Sequence, residues 1–180
     1  MRVWLGRMHM IVATLAIAVV PLLALVAWRD IAKREIPDIA CLAIAALGLA
    51  GRATLGWGAV AASLATATIL FALLVVLHAR GVLGGGDVKL ASAVAVGLAP
   101  LATWDFVVTT ALAGGLLALP YLALPRLLQA APVLPARPPS GAMQRVASVE
   151  AWRMRRGGPL PYGVAIAAGA SLTILQTSGT

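Results

Sequence analysis

Two aspartates in this sequence stand beside long apolar runs, where a carboxyl group can serve as an acid or a base. Asp30 follows a run that ends at Trp28, and Asp87 follows three glycines, residues 84–86, and precedes another apolar run. Two carboxyl groups that share one proton have separated pKa values, so one is an anionic base and the other a neutral acid. Such a pair can activate water for attack on a peptide carbonyl and stabilise the tetrahedral intermediate, without a metal or a covalent intermediate.

Each of these segments also has a simpler interpretation. Gly-Gly-Gly-Asp before a helix is typical of a loop and N-cap, with the side chain of Asp87 accepting free backbone N–H groups. In a site, the glycines would adopt backbone angles closed to other residues and admit an extended peptide. Asp30 alone is compatible with a solvated charge paired with Arg29, Lys33 or Arg34. Both interpretations stay open at this point.

The composition indicates a membrane protein. Of the 180 residues, 61% are hydrophobic and 11% are charged, whereas a soluble domain is about a quarter charged. The net charge is +8, but the basic residues fall between apolar runs and not on a polar face with interleaved aromatics, which disfavours nucleic-acid binding. The single cysteine, Cys41, excludes a disulfide framework or a Cys-type zinc site made by this chain alone.

Six apolar runs predict an all-α polytopic membrane protein, a bundle of six transmembrane helices in one domain, residues 1–180. A helix needs about 20 apolar residues to cross a hydrocarbon core of about 30 Å. The second and fourth runs reach only about 23 Å, so these helices are tilted less, extend into their flanks or are sheltered inside the bundle. The predicted spans are 8–28, 36–50, 57–77, 88–102, 106–124 and 160–175.

The distribution of Lys and Arg predicts the orientation of the spans. With the N-terminus outside, eleven basic residues fall in inside segments and three fall outside. Both termini are then outside, while Asp30 and Asp87 share the cytoplasmic face. Residues 125–159 form a cytoplasmic loop that starts Pro-rich, and residues 146–158 form a short basic amphipathic helix on the anionic inner leaflet.

Three segments resemble the type IV prepilin peptidases, membrane aspartic peptidases with a Gly-x-Gly-Asp motif. RDIAKREIPD, residues 29–38, resembles the stretch that follows the first span of the family. GGGDVKL, residues 84–90, matches Gly-x-Gly-Asp-x-Lys. LPYGVAIAAG, residues 160–169, resembles the opening of the last span in the short peptidases of tight-adherence (Flp) pili. The resemblance covers nearly the whole chain in the family's order.

The resemblance implies an aspartic endopeptidase that removes the short basic leader from Flp-like prepilins or pseudopilins at the cytoplasmic face of the bacterial inner membrane. Asp30 and Asp87 would be the catalytic pair. The residues that would shape the site are Gly84, Gly86, Lys89, Ile36, Pro37, Pro161, Tyr162 and Gly163. The expected partners are the prepilin precursor and membrane lipid, with no nucleic acid, and neither a cofactor nor a metal is expected. The oligomeric state is left open.

Individual site residues have alternative roles. Lys89 would orient the substrate or lower the pKa of Asp87, or it is a snorkelling lysine near the inner face. Tyr162 and Gly163 would line the cleft or only pack. Asp38 is expected to cap the second span after Pro37 and not to be catalytic.

Departures from the family pattern predict a narrower activity. Longer members also methylate the new N-terminus and have an added cytoplasmic domain with paired CxxC motifs. This chain has one cysteine and about seven residues before its first span, so the expectation is peptidase activity without methylation. The rival functions are a small transporter that uses Asp30 and Asp87 as a proton relay, and a non-catalytic pilus assembly factor.

Overall fold

The computed structural model describes residues 2–128, 141–156 and 158–178. Within these ranges the chain forms seven α-helices and no strand, which confirms the all-α class for the described residues. The helices are α1 (Arg2–Lys33), α2 (Asp38–Ala53), α3 (Trp57–Ala79), α4 (Gly85–Val96), α5 (Pro100–Leu128), α6 (Ala142–Arg155) and α7 (Tyr162–Ser178). Most of the Pro-rich part of the predicted 125–159 loop, residues 129–140, lies outside the described residues.

Five of the predicted spans correspond to α1, α2, α3, α5 and α7, but the predicted span 88–102 is wrong as a single helix. α4 ends at Val96, and α5 begins at Pro100. A proline is accepted in the first turn of a helix and disrupts an interior, so it starts α5. A Cβ added at Gly97 would lie 2.7 Å from the Cα of Gly48. The end of α4 therefore contacts the backbone of α2 directly.

The lengths of the helices bear on membrane insertion. α3 and the Pro100–Ala123 part of α5 are long and apolar enough to cross a membrane, judged by length and composition. α7 contains a shorter apolar helix, Tyr162–Thr177. α4 has 12 residues and is about 18 Å long, less than the hydrocarbon core. Six spans and the orientation of the termini stay predictions from the sequence.

The short helix α4 lies between α2, α3 and α7. Half of its residues are buried, and these are Val88, Leu90, Ala91, Ala93, Val94 and Ala95. Of the alternatives for the short fourth span, this burial agrees with shelter inside the bundle. The longer helices expose large apolar side chains, including Ile69, Leu73, Leu112 and Leu116. Extended apolar surface of this kind is uncommon on soluble monomers and suits contact with lipid.

The remaining helices close the bundle around the end of α1. α7 packs against α1 and α5, and α6 packs against α5 and α1. α6 corresponds to the predicted short helix of residues 146–158, with earlier bounds. Its Glu150 is only 8% exposed and faces the protein, whereas Met143 and Trp152 are exposed. The side of α6 that carries Glu150 therefore packs against the bundle, next to the C-terminal end of α1.

Candidate active site

The two aspartates approach each other at one end of the bundle. Asp30 lies in the last turn of α1 and is 6% exposed. Asp87 is the third residue of α4 and is partly buried. Both lie outside the predicted spans. The negative charge of Asp30 raises the pKa of Asp87, so the two carboxyl groups interact electrostatically.

The environment of Asp87 favours its protonated form. Burial is the main cause that raises the pKa of Asp87 to about 6, and the charge of Asp30 raises it further. The backbone N–H of Gly84 and the guanidinium of Arg34 act in the opposite direction. A carboxyl group with this pKa can hold a proton under mildly acidic to neutral conditions, as the neutral member of an acid–base pair must.

Burial also raises the pKa of Asp30, and the charge of Arg34 and the backbone amides of Gly163 and Val164 oppose this effect. The Oδ2 atom of Asp30 is buried without a hydrogen-bond partner among the described residues. A buried polar atom without a partner carries a free-energy cost. Such unsatisfied groups are rare in native proteins, and a catalytic role is one explanation for them.

Space, and not backbone angle, explains Gly84 and Gly86. Among the described residues, the glycines with positive φ are Gly56 and Gly81, so the expectation of unusual angles at residues 84–86 is wrong. A Cβ at Gly84 would lie 2.8 Å from Asp87 Oδ2. A Cβ at Gly86 would lie 3.3 Å from Ile36. The two motif glycines therefore allow the chain to pass close to Asp87 and to the Ile-Pro segment.

Asp87 is not the N-cap of α4. Gly84 occupies that position, with φ −70° and ψ 146°. Asp87 follows three residues later, where an acidic side chain can reach back to the N–H of the capping residue, as in a capping box. The simple capping interpretation is therefore partly right, because the same carboxyl group faces the Gly84 N–H and Asp30.

The third motif brings Gly163 against Asp30. A Cβ added at Gly163 would lie 2.8 Å from Asp30 Oδ2 and 3.2 Å from Asp30 Cβ. Pro161, just before α7, is fully buried. Tyr162 instead lines a small pocket with Gly114, Leu117, Leu160 and Ala165. The packing alternative is therefore favoured for Tyr162, while Gly163 forms one wall of the Asp30 site.

Lys89 and Asp38 form an exposed ion pair. Lys89 Nζ donates to Asp38 Oδ1 at 2.9 Å, with side chains 58% and 69% exposed. Lys89 is not among the groups that shift the pKa of Asp87, so its expected effect on that pKa is wrong. Pro37 is the N-cap of α2 and no side chain caps the helix, so the expected cap by Asp38 is also wrong. The ion pair instead links α2 to α4.

Comparison with known families bears on the identity of these segments. The family model of the type IV leader peptidase family matches residues 17–122. The chain belongs to the type IV leader peptidase family. This confirms the resemblance to the prepilin peptidases and identifies the chain as a leader peptidase type of hydrolase. No curated protein and no solved structure matches the chain.

The family match includes Asp30, the Ile-Pro segment and Asp87, and ends before α6 and α7. The wall that Gly163 forms therefore lies outside the matched part of this leader peptidase. Among the described residues, no group of three or more His, Cys, Asp or Glu side chains is arranged to hold a metal ion.

The sequence reasoning missed a polar cluster beside the aspartates. Arg34 Nη2 donates to Glu150 Oε1 and to Tyr121 Oη, the latter at 3.4 Å, and Tyr121 also donates to Glu150 Oε1. Arg153 Nη1 donates to Glu150 Oε2 at 3.2 Å and to the carbonyl of Ile31 at 2.9 Å. The sequence signal for this cluster was Glu150, a lone acid in an otherwise basic segment.

The raised pKa of Asp87 predicts how stability depends on pH. Because the folded-state pKa of about 6 exceeds the reference value of 3.8, the folded protein binds more protons, and its stability falls as pH rises between these values. Asp87→Asn removes this effect. We expect the variant to match the wild type near pH 4 and to be more stable at pH 7, measured by thermal unfolding in detergent. A difference that does not vary with pH would contradict the burial of an ionisable Asp87.

Proposed function

We propose that this leader peptidase is a membrane aspartic endopeptidase that removes the short basic leader of type IV, Flp-like prepilins or pseudopilins at the cytoplasmic face of the bacterial inner membrane. The supporting observation is that three distant segments meet at one pair of acids. Asp30 lies in the last turn of α1, Asp87 lies in the first turn of α4, and Gly163 at the start of α7 lies against Asp30. The whole of residues 1–180 acts as one domain in this proposal.

In the proposed reaction the two carboxyl groups share one proton and titrate as a unit. The ionised carboxylate takes a proton from water while the water oxygen bonds to the scissile carbonyl carbon. The protonated carboxyl group hydrogen-bonds the carbonyl oxygen as negative charge develops there. The C–N bond then breaks, and the carboxyl group that received the proton delivers it to the leaving nitrogen. The products are the leader carboxylate and the new amino terminus of the pilin.

The surroundings of the pair suit a peptide substrate. Gly84 leaves no side chain against the Asp87 carboxyl group, and Gly86 leaves none against Ile36. The exposed Lys89–Asp38 pair lies on the next turn of α4 and the first turn of α2, where it can orient a precursor. The exposed apolar surface of α3 and α5 suits lipid, and the positive-inside distribution supports a cytoplasmic location for the aspartates.

A proton-relay transporter is less well supported. A relay needs polar side chains that are available along a path between helices. The hydroxyls of Thr66, Thr68 and Ser92 donate to carbonyls four residues earlier in their own helices, at 2.9, 2.7 and 2.7 Å. These three hydroxyls do not connect one helix to another. Ser63 accepts from Arg52 of α2 at 2.7 Å, and Thr109 reaches Gly169 and Thr173 of α7 at 3.2 Å. Neither Ser63 nor Thr109 is bonded to Asp30 or Asp87 in these contacts, so they do not extend the aspartate pair into a path, which favours the peptidase.

The proposal is tested with purified protein in detergent and a precursor that carries a basic leader, a glycine and an apolar helix. We expect the leader to be released, with the cut after the glycine, as read by mass spectrometry. With S-adenosylmethionine added, we expect no methyl group on the new N-terminus. Recovery of intact precursor would contradict the peptidase activity, and a methylated product would contradict its restriction to cleavage.

A further inference from the structure

Arg34, just after α1, has an unusual backbone conformation. Its φ is 59°, and among the described residues it is the only non-glycine residue with a positive φ. Glycine or asparagine usually occupies this left-handed position at the end of a helix, because other side chains are strained there. The Arg34 N–H donates to the Asp30 carbonyl at 2.9 Å and so closes the helix. An arginine in a strained backbone position suggests that its side chain has a role.

The side chain of Arg34 is fixed by two other helices. Its Nη2 donates to Glu150 of α6 and Tyr121 of α5, and the side chain is 20% exposed. Glu150 is itself held by Tyr121 and by Arg153. Arg34 Nε and Nη1 are buried and have no partner among the described residues. The guanidinium is therefore anchored through Nη2, and its positive charge acts on the carboxyl groups of Asp30 and Asp87.

Among the described residues, the charges that interact with Arg34 or its partners come from three helices. Asp30 is on α1 and Asp87 on α4, while Glu150 and Arg153 are on α6. Tyr121 from α5 contributes a hydroxyl, and α7 contributes backbone amides. When the aspartates share one proton, two arginines balance two negative charges, one on Glu150 and one on the pair. The singly ionised pair is thus the state in which this buried cluster is electrically neutral.

We propose that Arg34 is a positioning residue for the cleavage reaction: held by Glu150 and Tyr121, its guanidinium stabilises the single negative charge that the aspartate pair needs to activate water. This inference rests on the proposed function. It assigns α6 a part in the site, because Glu150 anchors Arg34 and Arg153 binds the Ile31 carbonyl next to Asp30.

Arg34→Gly tests the proposal, because glycine accepts the left-handed conformation while the charge is removed. Without the positive charge both carboxyl groups hold their protons to higher pH. We expect the optimum of kcat/KM to move to higher pH, with a loss of about tenfold on the acidic limb and no loss on the alkaline limb. Arg34→Lys keeps a charge, and its optimum should stay close to that of the wild type.

Glu150→Gln provides a test of opposite sign. Its negative charge raises the pKa of Asp30, so its removal should move the acidic limb to lower pH. A loss in Arg34→Gly that is equal at every pH would indicate a purely structural role and overturn the proposal, as would an unchanged profile. If Arg34→Gly does not fold, the double variant Arg34→Gly with Glu150→Gln removes the guanidinium together with the buried carboxylate that it binds.

A direct titration separates this inference from the proposed function. Carboxyl signals of 13C-labelled aspartate are followed with pH in the full-length protein, with no substrate present. We expect Asp87 to titrate at higher pH in Arg34→Gly and in the double variant, because Arg34, and not Glu150, acts on Asp87. Unshifted signals would overturn the inference even if the wild type cleaves precursor. Shifted signals with an inactive wild type would contradict only the proposed function.

Discussion

Replacing either Asp30 or Asp87 by Asn is expected to abolish processing of the precursor. An amide has nearly the shape of a carboxyl group, but it cannot take a proton from water or share one with its neighbour. Loss of general acid–base catalysis costs about 10²–10⁴-fold in rate. The measurement is the ratio of precursor to mature pilin in cells in which the variant is the only copy.

Asp105→Asn is the matched control for these variants. Asp105 is exposed in the first two turns of α5. Its replacement by Asn is the same chemical change made outside the site. We expect normal processing in this variant. Normal processing in Asp30→Asn or Asp87→Asn would contradict the assignment of the catalytic pair. A similar loss in Asp105→Asn would show that the test reports expression or insertion and not catalysis.

Gly163→Ala should give the second largest effect. The added Cβ would lie 2.8 Å from Asp30 Oδ2 and 3.0 Å from its Cγ, so the carboxyl group must move or turn. Misplacing a catalytic group by about 1 Å can cost about 10²-fold in rate. Since Ala is preferred over Gly in a helix by about 0.5–1 kcal/mol, a folding defect is not the expected cause. We expect kcat to fall and KM to change little, measured with purified protein.

Neighbouring glycines supply the controls for this prediction. At Gly115 of α5 an added Cβ meets no atom within 4 Å. At Gly85 it meets His78 at an ordinary 3.5 Å. Alanine at either position should leave kcat nearly unchanged, whereas Gly84→Ala should resemble Gly163→Ala because its Cβ would crowd Asp87. Equal effects at Gly163 and Gly115 would contradict the packing of α7 on Asp30.

Apolar length predicted most of the helices because it is a local property of the chain. α1, α3 and α5 each contain one predicted span, and α2 and α7 each contain all but the first two residues of one. The run 88–102 was misread because its apolar residues continue past Gly97 and Pro100, which are the residues that end α4 and begin α5. The contact of Gly97 with Gly48 could not be predicted, since it depends on how two distant helices pack.

The candidate site was only partly predictable for the same reason. Charge distribution and motifs predicted that Asp30 and Asp87 lie at one face, and the structure brings them close enough to interact. Arg34 contacts Tyr121 and Glu150, which follow it in the sequence by 87 and by 116 positions, and no spacing rule connects these residues. The need for glycine at residues 84 and 163 is likewise steric. At Gly163 the crowding group is Asp30, which is distant in the sequence, and at Gly84 it is the side chain of Asp87, which points back toward the start of α4.

The pH dependence of kcat/KM for the purified wild-type protein on one precursor tests the account most directly. The central claim is that Asp30 and Asp87 act together with one proton between them. We predict a bell-shaped profile, because activity is lost when the pair takes up a second proton and lost again when the shared proton leaves. A rate that rises with pH and stays level to about pH 9 would contradict the claim, because no protonated carboxyl group would then be required.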